Sequence, residues 1–536
     1  MNVLFVMYGD FSSNSAHPMA LHARGLHSSG HDCAAAVPSN AESVRQHVDP
    51  RFHPVLYSDV LADPAAVFPD GRPADILHAW TPREGVRRFV TAYLAKMATP
   101  WVIYLEDNEA WIAKAALSLV GLREDVLLQH TEEVISTWTP EGLPHPLRHE
   151  SFIGLADAAV VIQDKLAVEV APWVPCTTVM PGVDLDLFAP RPADPSMRKR
   201  YGVADNERVI VYPGGLNDFT RPGLEAVCRA VGLINRQGTP CRLLRSGPFA
   251  LDFLERLPPD VAAAVSDLGT LARGELPGLL ALADALVQPG KPDPFEDLRL
   301  PGKLPELLAS GRPVVLPDTN IANLLRDGVD AVFHRTGSPE EIAEKCLMLF
   351  ADPDRARSIG EAGRRFAETH FDPKTQASRL ESVYGATRDA FDPDVAKKLW
   401  GADAEHLPVP ALLARKLRLL AGARAAGIGA SGAMLDAHAR VIEFTVERSQ
   451  GLETGMAVRD REIASLKEEV EARGRRITSA NQAIAEQGAQ IAALTDTVAE
   501  RERHISALES SLSWRITRPL RNAARILMRW SSYLRF

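Results

Sequence analysis

Long apolar runs are missing from this 536-residue chain: no stretch of about 18 uninterrupted apolar residues occurs, so no membrane-spanning helix is expected. Cysteine is sparse. The five present are Cys33, Cys176, Cys228, Cys241 and Cys346. The count is odd and no pair has CxxC spacing, which argues against a disulfide framework or a zinc ribbon and fits a reducing compartment. The first ten residues, Met1 to Asp10, lack a basic stretch followed by a long apolar one, so no secretory signal is expected there. Acidic residues stop at Glu509.

What is present is ordinary soluble composition, 46% hydrophobic and 24% charged, enough for roughly three to four domain equivalents. Such a chain can build a large core without staples. Net charge is −9, unevenly spread. The last 26 residues hold six arginines and no acid, so the preceding 510 sum to −15. An acidic body is a poor nucleic-acid binder, and only the tail suits an anionic surface.

Short apolar runs alternate with helical patterns. Val3–Met7, His31–Pro38, Ile76–His78, Trp101–Leu105 and Ala158–Ile162 read as buried parallel strands. The pattern restarts at Arg208–Tyr212, then Cys241–Arg245, Ala285–Pro289 and Pro313–Pro317, with a helix near Pro339–Phe350. Two consecutive doubly wound α/β units imply a cleft between them, where open parallel sheets bind ligands. Beyond residue 400 the composition changes. Residues Ala421 to Ala433 are Ala/Gly-rich and read as a flexible linker. An apolar residue then recurs every seventh position, at Ile463, Val470, Ile477, Ile484, Ile491, Val498, Ile505 and Leu512. That register predicts a self-associating coiled coil, weakened by polar residues three positions on, such as Arg473, Gln487 and Arg501, with a lone amphipathic helix folded back on the globular body as the alternative.

The stretch Pro292–Val315 reads as loop, short helix, glycine stop and buried strand, with Pro305 in the first turn and Gly311 past the end. Backbone N–H groups near Gly302, Lys303 and Leu304, with Arg299 alongside, would suit a diphosphate. Glu306, in the first turn, would accept hydrogen bonds from ribose hydroxyls. Read alone, the same residues also fit a solvated turn with ordinary capping.

This stretch resembles the signature of GT-B glycosyltransferases of family 4, also called group 1, in the form Lys-Leu-x-Glu followed by Ala-x-Gly-Arg-Pro-Val-Val. Met180–Phe188 resembles the family's interdomain Pro-(Asn)-Gly-Val-Asp-x-x-x-Phe, here without the Asn. Leu26–Asp32 resembles its first helix-to-strand segment, and Asp75–Trp80 its Asp-Val-Val-His-Ala-His. The resemblance covers about residues 1–385. It implies two Rossmann-like doubly wound domains followed by a long C-terminal helix or coiled coil. The expected boundaries are 1–188 for an acceptor domain, 189–375 for a donor domain, 376–400 for a crossover helix, 401–455 for a linker with helix, 456–512 for the coiled coil and 513–536 for a basic tail.

Departures from the family pattern fall at chemistry-bearing positions. Gly214-Gly215-Leu216 stands where relatives carry Gly-Arg-Leu, and Thr220 where they carry a lysine, with Arg221 one position on. Arg245, ending the next strand, is the expected replacement phosphate ligand. The first of the usual paired glutamates falls on Leu298, with Glu296 and Asp297 beside it. Trp80 replaces the second histidine of His-Ala-His, and Glu106-Asp107-Asn108-Glu109 stands where many relatives have a histidine.

The resemblance implies sugar transfer from a nucleotide-sugar donor with retention of anomeric configuration. Lys303 and Arg245 or Arg299 would stabilise the leaving diphosphate, and electrostatic stabilisation of this kind is usually the largest part of the rate enhancement. Glu106 and Asp107 would orient the acceptor hydroxyl or act as base, although helix capping explains such residues equally well. Gly214, Gly215, Gly302, Arg299, Glu306 and His78 are the expected substrate contacts. No cofactor or metal is expected: Asp184-Leu185-Asp186 has no companion ligand cluster, and His22 and His27 lie five apart, a poor metal spacing.

Ser511–Arg521 resembles a Ser-x-Ser-Trp-Arg-x-Thr-x-Pro-Leu-Arg segment at the ends of various bacterial polysaccharide-assembly enzymes. Arg518, Arg521, Arg525 and Arg529 share one helix face, with Leu520, Ala524, Leu527, Trp530 and Leu534 on another, which suits an anionic membrane interface or, alternatively, docking on the chain's own acidic body. The expectation is a cytoplasmic glycosyltransferase, peripheral on the inner face of the membrane, acting on a glycan or lipid-linked acceptor in surface-polysaccharide assembly. A nucleotide-sugar 2-epimerase of related fold and a non-catalytic GT-B-like scaffold are the alternatives.

Overall fold

The computed structural model describes residues 1–119 (except 48), 132–170, 174–216, 220–248, 252–401, 404 and 409–425. Towards the C-terminus it describes 471–476, 485–533 and a few single positions from 468 on. The chain divides into two units, Met1–Phe444 and Thr445–Phe536.

The first unit holds two parallel sheets. One contains β1 (Asn2–Val6), β2 (Asp32–Val37), β3 (His53–Leu56), β4 (Ile76–Trp80), β5 (Trp101–Leu105), β6 (Ala158–Val161) and β7 (Cys176–Thr178), ordered β3-β2-β1-β4-β5-β6-β7. The other contains β8 (Arg208–Pro213), β9 (Cys241–Ser246), β10 (Val265–Asp267), β11 (Ala285–Val287), β12 (Val314–Pro317) and β13 (Val332–His334), ordered β10-β9-β8-β11-β12-β13. All neighbouring strands run parallel. The nine strands expected from apolar runs are present. The four additional strands, β3, β7, β10 and β13, are three or four residues long and lie at sheet edges. Strands this short carry no readable periodicity, and β3 contains Pro54, which an edge tolerates.

In each sheet the strand order reverses between the first strand and its neighbour on the other side, β1/β4 and β8/β11, and a crevice opens at that switch point. Central strands are buried on both faces, as the continuous runs Val3–Val6 and Val209–Tyr212 require. Helix α1 (Ala16–Ser28) follows β1, α2 (Arg221–Arg236) follows β8, and α3 (Leu304–Ala309) precedes β12. Helix α4 (Pro353–His370) packs on α3, and α5 (Pro373–Ala390) crosses back onto α1. A Cβ at Gly25 of α1 would lie 2.6 Å from the Ala377 Cβ of α5, so this crossing needs glycine. Helix α6 (Val409–Ala425) extends four residues past the expected start of the linker at Ala421. Leu412 and Leu413 are buried and anchor its earlier turns, where the alanines also favour helix. The rest of the expected linker lies outside the described residues.

In the second unit, residues 485–510 are helical, followed by α7 (Leu512–Tyr533). Ile491, Leu494, Val498, Ile505 and Leu508 are between 54% and 65% exposed, an apolar stripe open along the helix. Ile463, Val470, Ile477 and Ile484 lie outside the described residues. Among the described residues no helix is long and apolar enough to cross a membrane.

Candidate active site

The crevice is lined from both sheets by loops at the C-terminal ends of strands. From the first domain, Glu106 and Asp107 follow β5. The Glu106 carboxylate accepts hydrogen bonds from Ser15 Oγ and from Trp80 Nε1 (2.8 Å), and Ser15 Oγ also meets the Tyr8 hydroxyl (2.9 Å). Burial, reinforced by the neighbouring Asp107 charge, raises the Glu106 carboxyl to about 7. Burial also raises Asp107, against the pull of Arg299 and Arg83. Glu109 is enclosed beside Arg83 (Nε to Oε2, 3.5 Å), and burial lifts it to about 8. Arg83 lies 4.5 Å from the Tyr8 ring centroid, a cation–π contact. Thr81, between β4 and Arg83, is buried with φ +66°, left-handed backbone that costs a β-branched residue about 1–3 kcal/mol.

From the second domain, Arg299 reaches Asp107 (3.9 Å) and pairs with Glu296 (3.2 Å). Lys303 points over the Tyr212 ring, 6.0 Å from its centroid, and burial lowers its pKa. Lys303, Arg299, Glu296, Tyr212, Thr220 and Gly290 enclose a cavity of about 60 Å³ at the start of α2. Of the two acids beside Leu298, only Glu296 faces this cavity. Asp297 turns to Lys165 of the first domain (2.5 Å) and to Thr319 (3.0 Å). Gln163 donates to the Asp297 and Arg299 carbonyls (3.0 and 3.2 Å), and Trp111 stacks on Phe295 at 4.0 Å, so the two domains meet through this loop.

The expected site residues therefore separate into groups. Glu106, Asp107, Arg299 and Lys303 line the crevice. Gly302 is exposed at the start of α3, but the Leu304 N–H bonds back to the Pro301 carbonyl (2.9 Å), which removes one of the three expected N–H groups. Glu306 points to Arg273 (2.8 Å), whose guanidinium packs on Phe188.

Arg245 is a correction. Its guanidinium is fully buried, pairs with Asp267 (2.8 Å), and donates to the carbonyls of Gly214 (2.9 Å), Gly247 (2.7 Å) and Pro248 (2.7 Å). It serves as a clamp on two loops instead of an open phosphate ligand. Gly214 and Gly215 lie in one of those loops. A Cβ at Gly214 would meet the Tyr212 ring at 2.1 Å, so Gly214 is required by packing. Gly247, at φ +122°, lies against the Gly214 backbone, where a Cβ would fall 2.8 Å from the Gly214 carbonyl carbon.

His78 is a second correction. It is fully buried, hydrogen-bonded through Nδ1 to the Tyr384 hydroxyl of α5 (2.5 Å), and surrounded by Phe5, Trp80 and Tyr104. Burial lowers its pKa well below the usual histidine value. It shares a face of β4 with Trp80, two residues on, but its ring is taken up by Tyr384 and the surrounding aromatics instead of opening to the crevice.

Sequence reasoning missed Tyr8, Ser15, Arg83, Gln163, Lys165 and Arg273. Tyr8, Ser15, Arg83 and Gln163 lie in loops after strands, Lys165 lies in the first turn of the helix Asp164–Val170 and Arg273 opens a 3-10 turn, and no spacing linked them. Among the described residues no group of three His, Cys, Asp or Glu side chains could hold a metal ion.

Residues 207–352 match the family described as glycosyl transferases, group 1. The match spans most of the second α/β domain. Several curated relatives align with the chain, and two of them illustrate the likeness. A GDP-mannose-dependent alpha-(1-6)-phosphatidylinositol monomannoside mannosyltransferase of Mycolicibacterium smegmatis is 31% identical over 39% of this chain and 56% of its own length. A D-inositol 3-phosphate glycosyltransferase of Thermobispora bispora is 27% identical over 52% of this chain and 68% of its own. The chain thus spans between about half and two thirds of these relatives. Among solved structures, Anabaena Alr3699/HepE in complex with UDP superposes with a TM-score of 0.53 at 14% identity, over 72% of this chain and all of that one. The arrangement of the two parallel sheets is the GT-B fold.

Proposed function

We propose that the chain transfers a glycosyl group, with retention, from a nucleotide-sugar donor to a glycan or lipid-linked acceptor in bacterial surface-polysaccharide assembly. One observation carries the reading: an acidic edge, Glu106 and Asp107, faces a basic edge, Arg299 and Lys303, across the crevice, with Arg299 bridging to Asp107 at 3.9 Å. The Anabaena neighbour was also solved with UDP-glucose, which supports a nucleotide-sugar donor in the same crevice.

In this reading the bond from the anomeric carbon to the diphosphate breaks, and the new bond to the acceptor oxygen forms on the same face. The acceptor proton passes to the departing phosphate oxygen. Lys303 and Arg299 stabilise the negative charge that develops there. Arg245 holds the Gly214 and Gly247 loops that shape the pocket. Glu106 and Asp107 orient the acceptor hydroxyl. The proposal requires no metal or other cofactor. Self-association through residues 463–512 and attachment of the 513–536 arginines to the inner face of the cytoplasmic membrane would bring the crevice to lipid-linked acceptors.

The test is a thermal-shift screen of nucleotide sugars, followed by turnover assays with product identification. A stabilising donor whose sugar appears on an acceptor is expected, and Lys303→Ala should lower turnover by about a hundredfold, the scale of one removed transition-state contact. A free epimerised nucleotide sugar as sole product would replace the reading with epimerisation. Donor binding without any turnover would leave a scaffold.

A further inference from the structure

The second domain carries another concave site, on the opposite edge of its sheet from the crevice. It lies where the strands begin: Arg208 opens β8, Asp284 precedes β11, and Arg312-Pro313 precede β12. The interdomain segment Pro190–Pro192 and α4 from Pro353 to Arg365 wall it into an open concavity of about 680 Å³, within the range of small-molecule sites. Its charge is unusual for a body that sums to −15. Six arginines line it, Arg191, Arg208, Arg312, Arg357, Arg364 and Arg365, against Asp284 and Glu361.

Three of these arginines are already engaged. Arg208 pairs with Asp284 (3.0 Å) and Arg357 with Asp354 (2.7 Å). Arg364 pairs with Glu368 (2.7 Å) and donates to the Leu185, Phe188 and Ala309 carbonyls. The others are differently placed. Arg312 is partly buried and donates to the Arg191 carbonyl (3.3 Å), and Arg191 donates to the Leu187 carbonyl (2.6 Å). Neither they nor Arg365 has a carboxylate at ion-pair distance among the described residues, and Arg365 acts on Asp330 only at longer range. Burial lowers the Arg312 pKa, with Asp284 opposing. Arg191 and Arg365 are exposed and Arg312 is half-buried, so an arriving anion meets guanidinium N–H groups that no carboxylate holds at contact distance.

The floor is apolar, formed by Leu349, Phe350 and Ala356, and the backbone beneath is rigid. A Cβ at Gly360 of α4 would lie 2.2 Å from the Gly311 carbonyl oxygen, so helix and loop are in direct contact. Planar guanidinium forks over an apolar floor match a phosphoryl group carried on an organic body. We propose that this cavity is a second anion site, separate from the donor crevice, that binds a phosphoryl group through Arg312, Arg365 and Arg191.

Two probes distinguish a soluble phosphate from a lipid headgroup. In the first, pyrophosphate is titrated calorimetrically into the full chain carrying Lys303→Ala, which removes the crevice lysine. Binding is expected, and adding Arg312→Gln with Arg365→Gln should weaken it by about tenfold or more. In the second, the full chain with Arg518, Arg521, Arg525 and Arg529 changed to Gln is mixed with phosphatidylglycerol vesicles. Retained binding that the same two changes abolish assigns the site to a lipid phosphate. Arg365→Gln alone, on the exposed side of α4, serves as the check if the double variant loses its cooperative melt. Failure of both probes to bind, or binding that none of these arginine changes weakens, overturns the proposal.

Discussion

At the scale of single residues, two departures from the family pattern explain each other. Trp80 stands where relatives carry a histidine, and Glu106 opens the Glu106–Glu109 stretch where many carry another. The structure joins them, with the Trp80 indole donating to the Glu106 carboxylate at 2.8 Å. That bond favours the ionised acid, so it pulls Glu106 down against the burial that raises it to about 7. Trp80→Phe should therefore move the Glu106 pKa upward, by about one unit for a hydrogen bond to a charged group. If ionised Glu106 orients the acceptor, the acidic limb of the pH–rate profile shifts to higher pH by that amount. An unchanged limb in a well-folded variant would remove Glu106 from this role. Neither the pairing nor the Arg245 clamp was legible in the sequence. Trp80 and Glu106 belong to adjacent strands and their ends, whose register only the sheet supplies, and an arginine ending a strand reads alike whether it faces ligand or carbonyls.

Among elements, β4 shows how one strand serves two ends. His78 at its centre is committed to Tyr384 of α5, while Trp80, two residues on, reaches the crevice acid. Apolar periodicity located the strand but could not say which polar residue would meet the crossover helix. The helix at 485–510 presents the opposite case, since its stripe was legible in the sequence and stands exposed along the helix. Ile491, Val498 and Ile505 are all more than half exposed. A repeating apolar seam of this kind is stabilised by a second copy. Replacing these three residues with Asp should convert a self-associated wild-type protein to a monomer in sedimentation at micromolar concentration. A wild-type chain already monomeric there would rule out the coiled-coil reading.

For the whole molecule, the crevice stores charge that folding disfavours. Glu106 and Glu109 hold protons more tightly in the fold than in the unfolded chain, with folded values of about 7 and 8 against an ordinary glutamate value of 4.5. The folded state binds more protons between these limits, so stability is greatest below about pH 4.5 for this contribution and falls as pH rises towards 8. Each pK unit is worth up to about 1.4 kcal/mol. Glu109→Gln should flatten the fall in melting temperature between about pH 5 and 8 and raise the melting temperature at pH 8. An equally steep profile in the variant would show that Glu109 is not the group responsible. The sequence alone determined the two parallel sheets, because buried strands must be continuous apolar runs separated by helices. It also located the short helix from Leu304 to Ala309 and its stop at Gly311, because helix starts and glycine stops are local. Tertiary structure alone decided which charges meet. Arg299 joins Asp107 across two domains, Arg245 turns inward to carbonyls 31, 2 and 3 residues away, and His78 meets a helix 306 residues on. The physical reason is that local rules place a side chain on a strand or at its end, whereas its partner depends on how separate sheets and the crossover helix pack.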